Sequence, residues 1–162
     1  MNKVWTVKIA GPAGTGIKSA GLLLAKMLNE SGYYLQDYSE YPSLVRGGHN
    51  TYQVSFSVDK VYSVHKVVDI FVSLVAGHWQ EHEKEFGEDT LVFADNDGKI
   101  NIPFKEMGDK LGGSIYANTI SLGLLAFLLN LNKEFFLEGL IYLFVLQIFW
   151  FSSCIFLLRR HK

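Results

Sequence analysis

Apolar and polar residues alternate along the first part of the chain, in the stretch "KVWTVKIA". Trp5, Val7 and Ile9 fall on one side of an extended backbone, and this period of two predicts a β-strand. Behind a glycine-rich stretch, apolar residues recur at helical spacing over residues 17–28, and Gly32 predicts the end of that helix. The chain therefore opens with a strand followed by a helix.

Later apolar runs predict the remaining elements. "YYLQDY" is a second strand, so that residues 1–38 form a β-loop-α-β unit with a crossover helix. Apolar and polar residues alternate over residues 52–56, which predicts a third strand. "VDK" is predicted to turn the chain, so that the following "VYSV" pairs with this strand as a hairpin. "DIFVSLV" and "TLVFA" indicate strands covered on both faces, with the charged helix "GHWQEHEKEF" between them. "KINIPF" predicts a short strand, and residues 114–129 predict a helix.

Strands that alternate with helices predict the fold class and its boundaries. We expect an α/β, Rossmann-like three-layer sandwich, with a mostly parallel sheet, an antiparallel hairpin and an apolar C-terminal helix. Residues 1–139 are predicted to form one domain, and residues 140–162 an apolar tail. The loop "SEYPSLVRGGHN" is polar and long for a connection, which is typical of binding loops.

Composition narrows the classes of function. Of the 162 residues, 49% are hydrophobic and 19% are charged, and the net charge of −1 argues against nucleic acid as a partner. Cys154 is the single cysteine, so that neither an internal disulfide nor an Fe–S cluster held by four thiolates of this chain can form. The N-terminal residues lack the apolar run of a signal peptide, and we expect a cytoplasmic domain.

The stretch "GPAGTGIKSAG" resembles a phosphate-binding loop without matching the P-loop pattern. Gly11 and Gly16 have the P-loop separation, but Ile17 stands before Lys18 and Ser19. One inserted residue turns a helical side chain by about 100°. Nucleotide hydrolysis by a P-loop is therefore not favoured.

A dinucleotide-binding fingerprint fits the same stretch better. Gly14 and Gly16 stand two apart, Ser19 replaces the third glycine, and Asp37 falls near the ribose-binding spacing at the end of the second strand. Under either pattern, a glycine turn that enters a helix directs backbone N–H groups and the positive end of the helix dipole at an anion. The alternative is a tight turn that needs glycine for its backbone shape alone.

The long loop holds a second set of candidate binding residues. Arg46 is a planar cation beside the uncrowded backbone of Gly47 and Gly48, which suits phosphate or carboxylate. Tyr41 and His49 offer stacking or a hydrogen bond. The alternative is a solvated loop whose arginine and histidine are incidental.

One stretch matches a metal-binding pattern. "HWQEH", residues 78–82, has the form H-x-x-E-H, whose two histidines share a helix face when four residues apart. The charged surroundings favour a solvated helix, and no third ligand is indicated, so we predict no metal site.

Two longer segments carry a family resemblance. "GPAGTGIKSAGLLLAKML" and "GYYLQDYSEYPSLVRGGHNTYQVSFS" resemble the gamma domain of 2-oxoacid:ferredoxin oxidoreductases. They are most similar to the version fused to the N-terminus of the alpha subunit in the 2-oxoglutarate (2-oxoacid:acceptor) type. The similarity covers most of residues 4–140, and "EYPSLVRGGHNT" is its most specific part.

The resemblance implies a component of a multi-subunit enzyme that oxidatively decarboxylates 2-oxo acids to acyl-CoA. In that family, thiamine diphosphate and [4Fe–4S] clusters belong to partner alpha and beta subunits and pass electrons to ferredoxin, while the gamma domain lies near the approach of coenzyme A. The resemblance implies no catalytic residue here and no activity of the chain alone. Candidates for contacting an acidic cofactor or a partner subunit are Gly11, Gly14, Gly16, Lys18, Ser19, Tyr41, Arg46, Gly47, Gly48 and His49. The alternative is an independent Rossmann-type nucleotide-binding module.

The tail departs from the family. Residues 140–158 contain no charge, and as a helix they would be about 28 Å long, close to the thickness of a bilayer's hydrocarbon core. The segment is thus a candidate transmembrane helix. We favour a shifted or truncated reading frame instead, because the basic residues 159–162 specify a single span poorly.

Overall fold

Six β-strands form one sheet in the order β2-β3-β1-β4-β5-β6. The structure is a computed structural model, which describes residues 2–41, 49–96, 99–113 and 116–141. The strands are β1 (Trp5–Pro12), β2 (Tyr34–Glu40), β3 (His49–Ser57), β4 (Val68–Ser73), β5 (Phe86–Ala94) and β6 (Ile100–Asn101). The helices are α1 (Ile17–Glu30), a 3-10 helix (His78–Glu85), α2 (Phe104–Lys110) and α3 (Tyr116–Leu128), and residues 133–141 are also helical.

The sheet is mostly parallel with one antiparallel strand, which confirms the predicted fold class. β1 is parallel to β4, β4 to β5 and β5 to β6. β3 runs antiparallel to both of its neighbours, β1 and β2. β1 and β2 therefore point the same way, as the crossover predicts, but they are not adjacent, because β3 lies between them.

The prediction that "VYSV" forms a hairpin strand beside β3 was wrong. Residues 61–64 do not form a strand. Instead, the segment packs over the sheet through hydrogen bonds to side chains of β3: the N–H of His65 donates to Oγ of Ser55 at 2.9 Å, and Nε2 of Gln53 donates to the carbonyl oxygen of His65 at 2.6 Å. These contacts hold the segment against the face of the sheet rather than at the edge of β3.

The two faces of the sheet are covered unequally. On one face, α1 and α3 pack against alternate residues of the strands, among them Ile9, Val54 and Val72. On the other face, a smaller cluster contains Ala10 and Phe71, packed against the 3-10 helix. Each strand therefore directs successive side chains into different layers, as a three-layer arrangement requires.

The first helix confirms its predicted bounds. α1 begins at Ile17, and its apolar face is buried against the sheet. At its end, Gly32 adopts a φ of +88° and its N–H donates to Asn29, while the N–H of Tyr33 donates to Leu28. A positive φ costs glycine little, and that explains the stop at this position.

The apolar tail lies largely outside the described residues. Within the described ranges, no helix is both long and apolar enough to cross a membrane. Residues 142–162, which contain most of the candidate transmembrane helix 140–158, are outside those ranges. The division into residues 1–139 and 140–162 stays a prediction.

Candidate functional site

The central feature of the site is the neighbouring pair β1 and β4, whose connections leave in opposite directions. After β1 the chain passes through α1 on one face to reach β2, and after β4 it passes through the 3-10 helix on the other face to reach β5. The N–H of Leu74 donates to the carbonyl oxygen of Ala10 at 2.9 Å, which joins the two strand ends. Such a reversal opens a crevice at the carboxyl ends of the strands, where α/β proteins bind ligands.

The glycine loop follows the end of β1, at this reversal. Thr15 closes the turn, because its Oγ1 donates to the carbonyl oxygen of Pro12 at 2.7 Å. Gly14 and Gly16 have φ angles of +86° and +81°, a region that side-chain-bearing residues rarely adopt. Nδ2 of Asn118, on α3, donates to the carbonyl oxygen of Thr15 at 3.0 Å and fixes the loop from outside.

The two glycines differ in the space around them. A Cβ at Gly16 would lie 2.5 Å from Nδ2 of Asn118, whereas a Cβ at Gly14 would meet no atom within 4 Å. A Cβ at Gly11 would lie 2.7 Å from Cδ1 of Ile17. Gly11 and Gly16 thus allow the loop to close tightly, and Gly14 leaves the backbone open on the solvent side.

The N-terminal end of α1 has the properties of an anion site. Gly16 is the N-cap residue and provides no side-chain hydrogen bond, and the first turn contains no acidic residue. Lys18, in that turn, is exposed, and Ser19 is partly exposed. Backbone N–H groups of a first helical turn lack partners inside the helix, and the helix dipole adds positive potential there. The arrangement suits phosphate or carboxylate.

Ser19 stands at the position of the third glycine of the fingerprint, whose usual role is close packing of helix and strand. Gly21, not Ser19, allows the close approach of helix and sheet: a Cβ there would overlap the aromatic ring of Tyr52 on β3. Gly21 stands two residues beyond the third position of the fingerprint, so that the pattern does not include it.

The predicted position of Asp37 at the end of the second strand was wrong, whereas ribose binding by Asp37 stays a prediction. Asp37 lies inside β2, which continues to Glu40, and β3 separates β2 from β1. Its carboxylate accepts a hydrogen bond from the hydroxyl of Tyr52. Burial, together with this hydrogen bond and the charge of Asp37, raises the pKa of Tyr52 well above its ordinary value, so that the phenol stays a donor. The Asp37 carboxylate thus serves the fold.

The long loop returns to the sheet next to the glycine loop. His49 begins β3 and pairs with Pro12, the last residue of β1. Tyr41 follows β2 and is exposed. Arg46, Gly47 and Gly48 lie outside the described residues, as does the side chain of His49. The backbone register alone therefore brings the end of this loop to the predicted site.

The H-x-x-E-H stretch does not form the α-helical face that its spacing suggested. It is a 3-10 helix, in which residues four apart no longer share a face. His82 is buried and its Nδ1 lies 2.7 Å from Oε1 of Glu85, whereas Nδ1 of His78 lies 3.9 Å from Oε1 of Glu81. Among the described residues, no three His, Cys, Asp or Glu side chains form a group that could hold a metal.

Comparison with known proteins decides the family. Residues 6–144 match the sequence profile of the pyruvate ferredoxin/flavodoxin oxidoreductase family. The chain belongs to this family. The observed fold, with its glycine loop at the turning point of the sheet, is thus the fold of an oxoacid oxidoreductase domain.

Individual members of the family are similar over different lengths. An alpha subunit of 2-oxoacid:ferredoxin oxidoreductase from Sulfolobus is 35% identical over 85 residues, which are 52% of this chain and 13% of that protein. Subunit KorC of the 2-oxoglutarate synthase from Archaeoglobus fulgidus is 26% identical over 135 residues, covering 79% of this chain and 72% of that subunit. The chain thus spans a small part of the alpha subunit and most of the smaller one.

A solved structure shows the same fold. The 2-oxoglutarate:ferredoxin oxidoreductase from Magnetococcus marinus, with 2-oxoglutarate, coenzyme A and succinyl-CoA bound, superposes with a TM-score of 0.80 at 22% identity. The match covers 91% of this chain and 28% of that one.

Two residues of the site, Asn118 and Gly21, were not predicted from the sequence. No local pattern marks them, because their roles depend on contacts between distant elements.

Proposed function

We propose that the chain is the gamma-type component of a 2-oxoacid:ferredoxin oxidoreductase, which oxidatively decarboxylates a 2-oxo acid to acyl-CoA in the cytoplasm. Its partners in this proposal are the alpha and beta subunits, which bind thiamine diphosphate and the Fe–S clusters, with ferredoxin as electron acceptor. The observation that carries the proposal is the family match over residues 6–144. The single cysteine supports the assignment of the clusters to other subunits.

The site suggests what this component contributes. Coenzyme A carries a 3′-phosphate and a diphosphate on its adenosine portion, and the glycine loop with the first turn of α1 offers backbone donors to such groups. In the proposal, the backbone of Gly14 and Gly16 lies against a phosphate, Lys18 adds positive charge, and Ser19 donates a hydrogen bond. Arg46 supplies a second cation from the neighbouring loop.

The described groups around the loop favour binding over catalysis. Thr15 already donates to Pro12, and Asn118 already donates to Thr15. No histidine or carboxylate of the described residues is hydrogen-bonded to Ser19, as an activated nucleophile would require. We therefore assign these residues to holding an anionic group while the partners carry out the redox chemistry.

Reconstitution tests this proposal. The full chain, mixed with alpha and beta subunits of a 2-oxoacid:ferredoxin oxidoreductase from the same organism, is expected to restore 2-oxo acid-dependent reduction of ferredoxin, with a loss of at least about tenfold when the chain is omitted. The chain alone is expected to be inactive. The proposal would be contradicted if the chain did not bind the alpha and beta subunits and their activity were the same with and without it.

A further inference from the structure

A basic cavity lies on the face of the sheet opposite α1. Part of that face is buried yet polar, which is unusual for a sheet interior. Its side chains come from β1 and β3 and are at most 6% exposed: Thr6, Lys8, Thr51, Gln53, Ser55 and Ser57. Lys8 is the one charged member of this group.

Lys8 is held by a partly buried ion pair. Its Nζ lies 2.6 Å from Oε2 of Glu85, and Oε1 of Glu85 lies 2.7 Å from Nδ1 of His82. Both carboxylate oxygens of Glu85 are thus engaged, and its negative charge is balanced by Lys8. The pair contributes little net charge to the space beside it.

A cavity of about 290 Å³ opens beside this pair. Its charged and polar lining is Lys8, Gln53, His65, Lys66, Lys84 and Glu85. Lys66 and Lys84 are exposed, and neither forms an ion pair with any residue in the described part of the chain. With Lys8 and Glu85 balancing one another, the cavity has an excess of two positive charges.

The two lysines at the rim of the cavity, Lys66 and Lys84, lie next to residues that are fixed by hydrogen bonds. Lys66 adjoins His65, whose N–H and carbonyl oxygen are bonded to Ser55 and Gln53. Lys84 adjoins Glu85, which is fixed by Lys8 and His82. Because the backbone beside both lysines is already fixed, less conformational entropy is lost when a ligand binds to their side chains.

We propose that this cavity binds a small dianion, with Lys66 and Lys84 as its principal ligands. The shared chemistry is a compact group with two negative charges, either a phosphate or a dicarboxylate. The charge-balanced pair of Lys8 and Glu85 forms the floor of the cavity, and Gln53, whose Nε2 already donates to His65, lines its wall. The site is separate from the glycine loop, because Lys8 lies inside β1 and the loop follows its end.

Residue-resolved NMR of the full, isotope-labelled chain tests the proposal. Titration with inorganic phosphate, and separately with malonate, is expected to shift the amide signals of residues 64–66 and 84–85 saturably at constant ionic strength. Lys66→Ala and Lys84→Ala should each weaken binding about tenfold, the loss of one charge-assisted contact. Both are exposed, so the fold should persist. Lys110→Ala, which removes a lysine paired with Glu106 on α2, is the matched control.

The outcomes separate this site from the glycine loop. Saturable shifts at residues 64–66 and 84–85 with both anions identify a dianion site, and shifts with phosphate alone identify a phosphate site. Shifts confined to residues 14–19, absence of saturation, or equal weakening by Lys110→Ala would overturn the proposal. Because the titration uses the free chain, its result is independent of assembly with the oxidoreductase partners.

Discussion

Replacing Glu85 with alanine is expected to lower the free energy of unfolding by about 3 kcal/mol. The variant leaves the Lys8 ammonium, which is 6% exposed, without its counter-charge. Lys8→Met should cost less, about 1 kcal/mol, since Glu85 is 31% exposed and keeps its hydrogen bond to His82. Urea unfolding at pH 7 compares the two variants. Equal losses, or a larger loss for Lys8→Met, would show that the buried ammonium is not the unstable partner.

The ion pair of Lys8 and Glu85 also predicts how the free energy of unfolding depends on pH. Burial alone would raise the pKa of Glu85, but hydrogen bonds from His82 and Lys8 and the charge of Lys8 lower it below its ordinary value of 4.5. A carboxyl group with a lowered pKa stabilises the folded state above its unfolded-state pKa, and this contribution is lost as the pH falls through the folded-state pKa. The wild-type chain should therefore lose more stability below about pH 4.5 than Glu85→Gln does.

Replacing Gly21 with alanine is expected to destabilise the fold by about 2 kcal/mol, because the new methyl group would overlap the ring of Tyr52. Helix propensity alone would favour alanine by about 1 kcal/mol, so a net loss indicates the contact between α1 and β3. The midpoint of urea unfolding measures the effect.

Two further variants isolate this contact. Gly113→Ala introduces a methyl group that meets no atom within 4 Å, and it should change stability by less than about 0.5 kcal/mol. In the double variant Gly21→Ala/Tyr52→Ala, the cost should be smaller than the sum of the single costs, because the ring is gone. If Gly21→Ala were as stable as the wild type, the helix α1 would be free to move away from β3, and the predicted contact would be contradicted.

The elements that local periodicity specifies could be predicted from the sequence. α1 is such an element: its apolar face repeats at helical spacing, and Gly32 ends it. The pairing of β3 could not be predicted. Its antiparallel pairs with β1 join residues 37 to 51 positions apart, from Pro12 with His49 to Trp5 with Phe56, and no local signal chooses the partner. The hydrogen bonds of His65 explain why the adjacent "VYSV" is not a strand.

The candidate site was predictable in part for the same reason. Gly14 and Gly16 are readable from the sequence, since a strand-to-helix turn demands positive φ angles that glycine adopts easily. Asn118 comes from a helix more than a hundred residues away, and its bond to Thr15 depends on how α3 packs beside α1. Asp37 matched a ribose-binding spacing, but that spacing assumes that β1 and β2 are neighbours, and β3 lies between them.

The most direct test of the central claim is a calorimetric titration of the full chain with coenzyme A, and in parallel with NAD. We expect saturable binding of coenzyme A that weakens about tenfold in Lys18→Ala and in Arg46→Ala, while Lys26→Ala, further along the same helix, binds as the wild type does. Coenzyme A that fails to bind, or NAD that binds saturably and loses affinity in Asp37→Asn, would contradict a coenzyme A site at the glycine loop.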